Sequence, residues 1–275
     1  MNEAVAALDE AGDAAKASLD LASHLLAVAD AMDSQYLLRR SLSEPNATTE
    51  QLMHLVDTLF GNSVLADAVD IVKVAVQQSW PSAEALAAAI RDEAIRVAWR
   101  AAISSRAVEP ARREVLALVD IIAGDQALAT AVGDTSRDLV DRQALVAALV
   151  VKAKPVVALL ASCAVADQRD TFAANLSGSL DCLASLRGHL RAHVTTAVAM
   201  TADQASAMEA QLRRIYGRPI DLETTIDARV VGGVRADVGG DVIDGSVRAR
   251  LNIAREQLAD IRIEATPASE ENQHA

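Results

Sequence analysis

The chain has 275 residues, room for two or three compact units, and it carries a net charge of −12 with only 2% aromatic residues. So acidic a chain offers no basic patch for phosphate, which excludes nucleic acid as a partner and favours a basic protein partner. No run of 18 or more apolar residues marks a membrane span, and the acidic start MNEAVAALDEAGDAAK lacks the basic and apolar stretches of a secretory signal.

The first 190 residues read as helices throughout. Leu21, Leu25, Val28 and Met32 recur at helical spacing and continue to Tyr36, before Leu38 and Leu42 lead to a break at Ser43-Glu44-Pro45. Val115, Val119 and Ile122 repeat the pattern, and Leu128 and Val132 lead to a break at Gly133-Asp134. Leu52, Val56 and Leu59 then resume a stripe, as do Leu145, Leu149 and, with a mismatch, Lys152. The offset is 90 residues before the break and 93 after it, which predicts a duplicated bundle. Trp80-Pro81-Ser82 is the expected boundary, because Pro81 restricts Trp80 and favours a helix start. Cys163 and Cys182 fall within helical patterns; a disulfide is possible on count alone, and two reduced thiols of a cytoplasmic protein are the favoured reading.

From about residue 193 the period changes. Val194, Thr196, Val198 and Met200 form a weak strand, and Met208, Leu212 and Ile215 a helix stripe that stops at Gly217 and Pro219. Ile220, Leu222, Thr224 and Ile226 alternate with polar residues, as do Val234, Ala236 and Val238. Gly239-Gly240 permits a tight reversal into Val242-Ile243. Asp244 or Ser246 can cap a last helix with a stripe of Val247, Leu251, Ala254, Leu258 and Ile261. The expected architecture is mainly α: a duplicated N-terminal helical bundle followed by a small C-terminal α+β unit.

This C-terminal arrangement resembles the delta subunit of F-type ATP synthases, related to the oligomycin-sensitivity protein of mitochondria. The resemblance is carried by Leu212, Tyr216-Gly217, Leu222, Ile226-Asp227, Val231-Gly232-Gly233, Gly240, Asp244-Gly245-Ser246 and Leu251. Ala228 departs from the family, which often has proline there. Residues from about 90 onward resemble the complete family protein, with Glu93–Trp99 like its first helix and Glu114–Ile122 like its second. The resemblance then implies an extra partial bundle copy at 1–79, a head-binding bundle at 80–190, the α+β unit at 193–262 and a disordered tail at 263–275. An extended form of this kind looks actinobacterial.

The resemblance also implies a function. The family member is a non-catalytic peripheral-stalk, or stator, subunit on the cytoplasmic side of the cell membrane, attached through its complex. It links the F1 alpha/beta head to the C-terminal helices of the b subunits and holds an N-terminal helix of the alpha subunit in a groove between bundle helices. On that basis Ile95, Trp99 and Ile103 on one helix and Val157 and Leu160 on another are the candidate partner-binding residues, the alternative being ordinary core. Trp99 is the expected anchor, and Trp99→Asp is expected to weaken head binding with the fold largely kept.

No residues point to catalysis, a cofactor or a metal. Gly232-Gly233 and Gly239-Gly240 lack the lysine of a phosphate loop, and Asp237, Asp241 and Asp244 lack the remaining positions of a calcium loop. His189 and His193 have ligand spacing on what reads as a helix end, with no glutamate between them. Ser177-Gly178-Ser179 reads as a helix junction, and Cys163 as apolar packing. Two rival readings are a free-standing helical-repeat adaptor and an enzyme of unknown type; the absent site chemistry counts against the second.

Overall fold

The computed structural model describes residues 2–44, 46–227, 230 and 232–245. It divides into two compact units, Met1–Leu186 and Arg187–Ala275. The expected last helix from Val247 to Ile261, the tail at 263–275, and Ala228, Val231, Ser246 and Leu251 lie outside the described residues.

The first unit is all helical. Its elements are α1 (Asn2–Ala14), α2 (Leu19–Ser34), α3 (Tyr36–Leu42), α4 (Thr49–Phe60), α5 (Ala66–Val76) and α6 (Ala83–Ser104), followed by α7 (Val108–Gly124), α8 (Gln126–Gly133), α9 (Leu139–Leu149), α10 (Pro155–Ala166) and α11 (Phe172–Leu186). Side chains at the starts satisfy the free N–H groups that every helix leaves there. Ser18 accepts from the Leu21 N–H, Ser82 from the Ala85 N–H, and Asp125 from the Ala127 and Leu128 N–H groups. Thr48 and Gln51 close a reciprocal capping box, and Pro155 opens α10 where its missing N–H costs nothing.

The series α2 to α6 recurs as α7 to α11 at an offset of roughly 90 residues. Matching positions are buried in both copies: Leu25 and Val115, Met32 and Ile122, Leu42 and Val132, Val56 and Val146, Phe60 and Val150. The duplication is thus present, but the offset does not widen to 93 after the break. The position matching Leu52 is Arg142, and the mismatched Lys152 is not part of the stripe. A three-residue slip carries a helical stripe nearly a full turn, so alanine-rich segments align almost as well in the wrong register. Arg142 is buried and its Nη1 donates to the Val165 carbonyl, 3.2 Å away, in the last turn of α10. The corresponding end of α5 is met by Trp80, whose Nε1 donates to the Ala75 carbonyl at 2.8 Å. Two different side chains therefore satisfy the same orphaned helix end.

The two series meet on α6. It packs against α1, α2, α3 and α5 on one side and against α7, α10 and α11 on the other. Its buried residues, among them Leu86, Ile90, Arg91, Glu93, Val97, Trp99 and Ala102, run round the whole helix. One hydrophobic core accordingly extends from Leu8 to Leu183, with Trp80 packed against it, and Trp80-Pro81-Ser82 is the turn and cap that begin α6. Ser177-Gly178-Ser179 is no junction: α11 runs through it, Gly178 faces open space, and the Ser179 hydroxyl donates to the Leu176 carbonyl.

The second unit comprises β1 (Leu190–Thr196), α12 (Ala202–Tyr216), β2 (Ile220–Ile226), β3 (Val234–Val238) and β4 (Asp241–Asp244). The sheet order is β2-β1-β3-β4. β1 and β2 run parallel, as a crossover through α12 requires, with Leu190 opposite Ile220; β3 is antiparallel to β1, with Ala236 opposite Val194. Val198 and Met200 fall beyond β1, which begins four residues earlier than the alternation from Val194 predicts. Its first half is anchored by polar pairs that a hydrophobic pattern does not register. Gly239 and Gly240, both at positive φ, make the β3–β4 reversal. Ala192, Val194, Leu212, Ile220, Ala236 and Val238 form the core.

Gly217 ends α12 in the left-handed conformation, with φ of 65° and its N–H bonded to the Arg213 carbonyl. A Cβ there would meet no atom within 4 Å, so a substitution costs backbone strain alone. Gly217→Ala is expected to lower stability by about 1 kcal/mol, measured as a shift of the urea midpoint at unchanged m-value.

Candidate partner-binding surfaces

The five candidate contact residues lie on α6 and α10, and the structure sorts them into two classes. Trp99 is 0% exposed, and Val157 and Leu160 are each 1% exposed. Ile95 is half-buried against the core, and Ile103 is 39% exposed. Both helices are packed among several others: α6 against α2, α10 and α11, and α10 against α9, α11, α6 and α2. The sequence reading of Trp99 as a surface anchor is therefore corrected: an indole with no accessible area cannot meet a partner while the helices stay packed. The expectation that Trp99→Asp spares the fold fails with it, because a charge would replace a large apolar group in a closed interior.

The same region holds ionic groups that periodicity did not single out. Arg91 on α6 reaches two carboxylates of α2, Asp30 at 2.8 Å and Asp33 at 2.8 Å. Gln143 of α9 donates to the other oxygen of Asp30 at 3.3 Å, so one carboxylate joins helices of both copies. Burial raises the Asp30 pKa above its ordinary value, against the opposing pull of the Arg91 hydrogen bond and charge. Arg39 of α3 adds an ion pair to Glu84 at the start of α6, at 3.1 Å. The sequence signal for this network is the Arg91-Asp92-Glu93 run inside an alanine-rich helix, in which Asp92 is exposed while Arg91 and Glu93 are buried.

Cys163 and Cys182 are free thiols. Burial pushes both up to about 12, so each stays protonated and a poor nucleophile near neutral pH. A cleft of about 720 Å³ lies between the α7–α8 corner and α9 to α11, with Arg142, Val132 and Phe172 in its lining, and its counterpart of about 560 Å³ in the first copy is lined by Leu52, Leu42 and Trp80. The pair is a by-product of the repeat. Among the described residues no group of three or more His, Cys, Asp or Glu side chains could hold a metal ion.

In the second unit the signature residues shape turns. Tyr216 packs against the core beside the Gly217 cap, Gly232 and Gly233 take positive φ, and the Gly245 N–H bonds the Val234 carbonyl at 2.9 Å. Asp244 closes β4. The Asp237 carboxylate accepts from the Gly240 N–H at 3.2 Å, a turn-stabilising bond. His189 and His193 are not on a helix end. His193 is an exposed residue of β1, and His189 just before it bonds Asp221 at 2.8 Å. Arg191 and Glu223 pair at 2.6 Å on that same polar side of the sheet.

A family-wide sequence model described as "ATP synthase delta (OSCP) subunit" matches residues 97–258. Curated relatives called ATP synthase subunit delta match along most of their length: that of Cutibacterium acnes is 33% identical over 91% of this chain and 96% of its own. That of Beutenbergia cavernae is 33% identical over 92% and 93%, and that of Streptomyces avermitilis 31% identical over 94% and 97%. The chain belongs to the ATP synthase delta (OSCP) subunit family.

Trp99 supplies the test of the corrected assignment. Trp99→Ala is expected to cost about 3–5 kcal/mol of stability, whereas Trp99→Phe keeps most of the volume and loses less. Chemical denaturation followed by circular dichroism checks both.

Proposed function

We propose that this chain is the stator link of an F-type ATP synthase, holding the catalytic head still while the central shaft turns. In this reading the helical bundle at 80–190 grips the top of the alpha/beta head, including the N-terminal helix of an alpha subunit. The C-terminal unit holds the C-terminal helices of the b subunits, and the whole sits peripherally on the cytoplasmic side of the cell membrane. The observation that carries the reading is the family match over residues 97–258, which runs from the middle of α6 through β4 and so takes in both units in the family's order.

The physical requirement is mechanical. Torque on the shaft spins the head unless an external brace resists it, and such a brace needs wide contacts with slow dissociation. No single described helix is long and apolar enough to cross a membrane, so attachment through partner subunits fits this chain. Ile95 and Ile103 are the accessible candidates for contact with the alpha helix, while Trp99, Val157 and Leu160 support that surface from beneath. The residues at 1–79 thicken the bundle from the side of α2 and stiffen the brace.

The duplication motivates a second reading, a free-standing helical-repeat adaptor. Mixing the full chain with F1 and with the soluble part of the b subunits separates the two. A stator link is expected to form one assembly containing alpha, beta, b and this chain, seen by native mass spectrometry. Binding to neither component refutes the stator link and leaves the adaptor.

A further inference from the structure

We infer that α1 is a proton-controlled latch on the helical unit, closed over the neutral side chain of Glu93 and loosened when that side chain ionises. The inference starts from a carboxyl group in an unusual setting. The Glu93 side chain on α6 is 1% exposed, and neither oxygen has a hydrogen-bond partner. Gly12 of α1 lies directly against Oε1, so close that a Cβ at that position would overlap the carboxyl group. A glycine is what lets α1 close there.

Everything charged around Glu93 belongs to the latch or its seat. From α1 come Asp9 and Asp13, from α6 Arg96 and Arg100, and from α11 the Cys182 thiol. Arg96 Nη2 holds Asp13 at 2.6 Å. Arg96 Nε lies 3.5 Å from Asp9 and 3.6 Å from Glu93, hydrogen-bonded to neither. Arg100 bonds the carbonyls of Gly12 and Asp13, the latter at 2.9 Å, and so closes the C-terminal end of α1. α1 also packs against α5, with Ala4 and Leu8 as its buried hydrophobic residues. On its α6 side it is held by two arginines that an ionised Glu93 would compete for.

Burial outweighs the nearby arginines and raises the Glu93 pKa to about 9 with α1 closed. With α1 open the group meets water and returns toward its ordinary value of 4.5. The closed state therefore binds the proton more tightly, and raising the pH favours opening. Below the ordinary value the closing equilibrium is independent of pH. Between that value and about 9 it weakens by about tenfold per pH unit, and above that it levels off. The steep part of the curve spans neutral pH.

Hydrogen–deuterium exchange on the full chain from pH 6 to pH 9 reads this directly. After correction for the intrinsic exchange rate, protection of residues 2–14 is expected to fall about tenfold per pH unit, with α7 to α11 unaffected. Glu93→Gln, similar in shape and always neutral, is expected to hold that protection constant over the range. Gly12→Ala is expected to reduce it at every pH. Protection of α1 that does not change with pH in the native chain, or that falls equally in Glu93→Gln, overturns the inference.

Discussion

One constraint organises the helical unit: α6 must satisfy neighbours on both sides at once. A helix in that position keeps few exposed positions, Asp92 and Ile103 among them, and Arg91 and Glu93 fall inside. Arg91 resolves the conflict by meeting Asp30 and Asp33 of α2 within the interior, and Asp30 in turn engages Gln143 of the second copy. The net stabilisation from such a buried cluster is small, because desolvation offsets most of the attraction. Its effect is on specificity. A slip of α2 along α6 would strand a guanidinium and two carboxylates at several kcal/mol each, so the register of these two helices is fixed. Small residues do the rest: Ala87, Ala94, Ala98 and Ala102 share one face of α6 and let a neighbouring helix approach it closely.

This arrangement gives the duplication a structural meaning. Two copies joined by a flexible linker would move independently, but here α6, the last helix of the first series, packs against helices of the second, and one core runs through both. A body built that way resists twisting better than a string of beads. That property agrees with the role proposed for the chain, in which the load is mechanical and no reacting groups are needed.

Much of this was legible in the sequence. Helical stripes, the helix start after Pro81, the end of α12 at Gly217 and the hairpin at Gly239-Gly240 follow from local rules, and the Asp244-Gly245 and Gly232-Gly233 pairs carried the family. What the sequence did not disclose depends on what covers each face. A stripe such as Ile95, Trp99 and Ile103 shows which residues share a side of a helix, not whether that side meets solvent. The register error that paired Leu52 with Leu145 has the same origin: the true match, Arg142, is a buried cation that hydropathy marks as surface. His189 was placed on a helix because its tie to Asp221 spans 32 residues and leaves no local trace.

The central claim is that the chain acts as a brace through protein contacts, and coupling is where a brace shows. Inverted membrane vesicles carrying the synthase can be depleted of this chain and assayed for ATP hydrolysis and for proton pumping by quenching of a pH-sensitive dye. The account predicts that depleted vesicles still hydrolyse ATP but pump no protons, and that adding back the purified chain restores pumping. Vesicles that pump at the native rate without it would contradict the account.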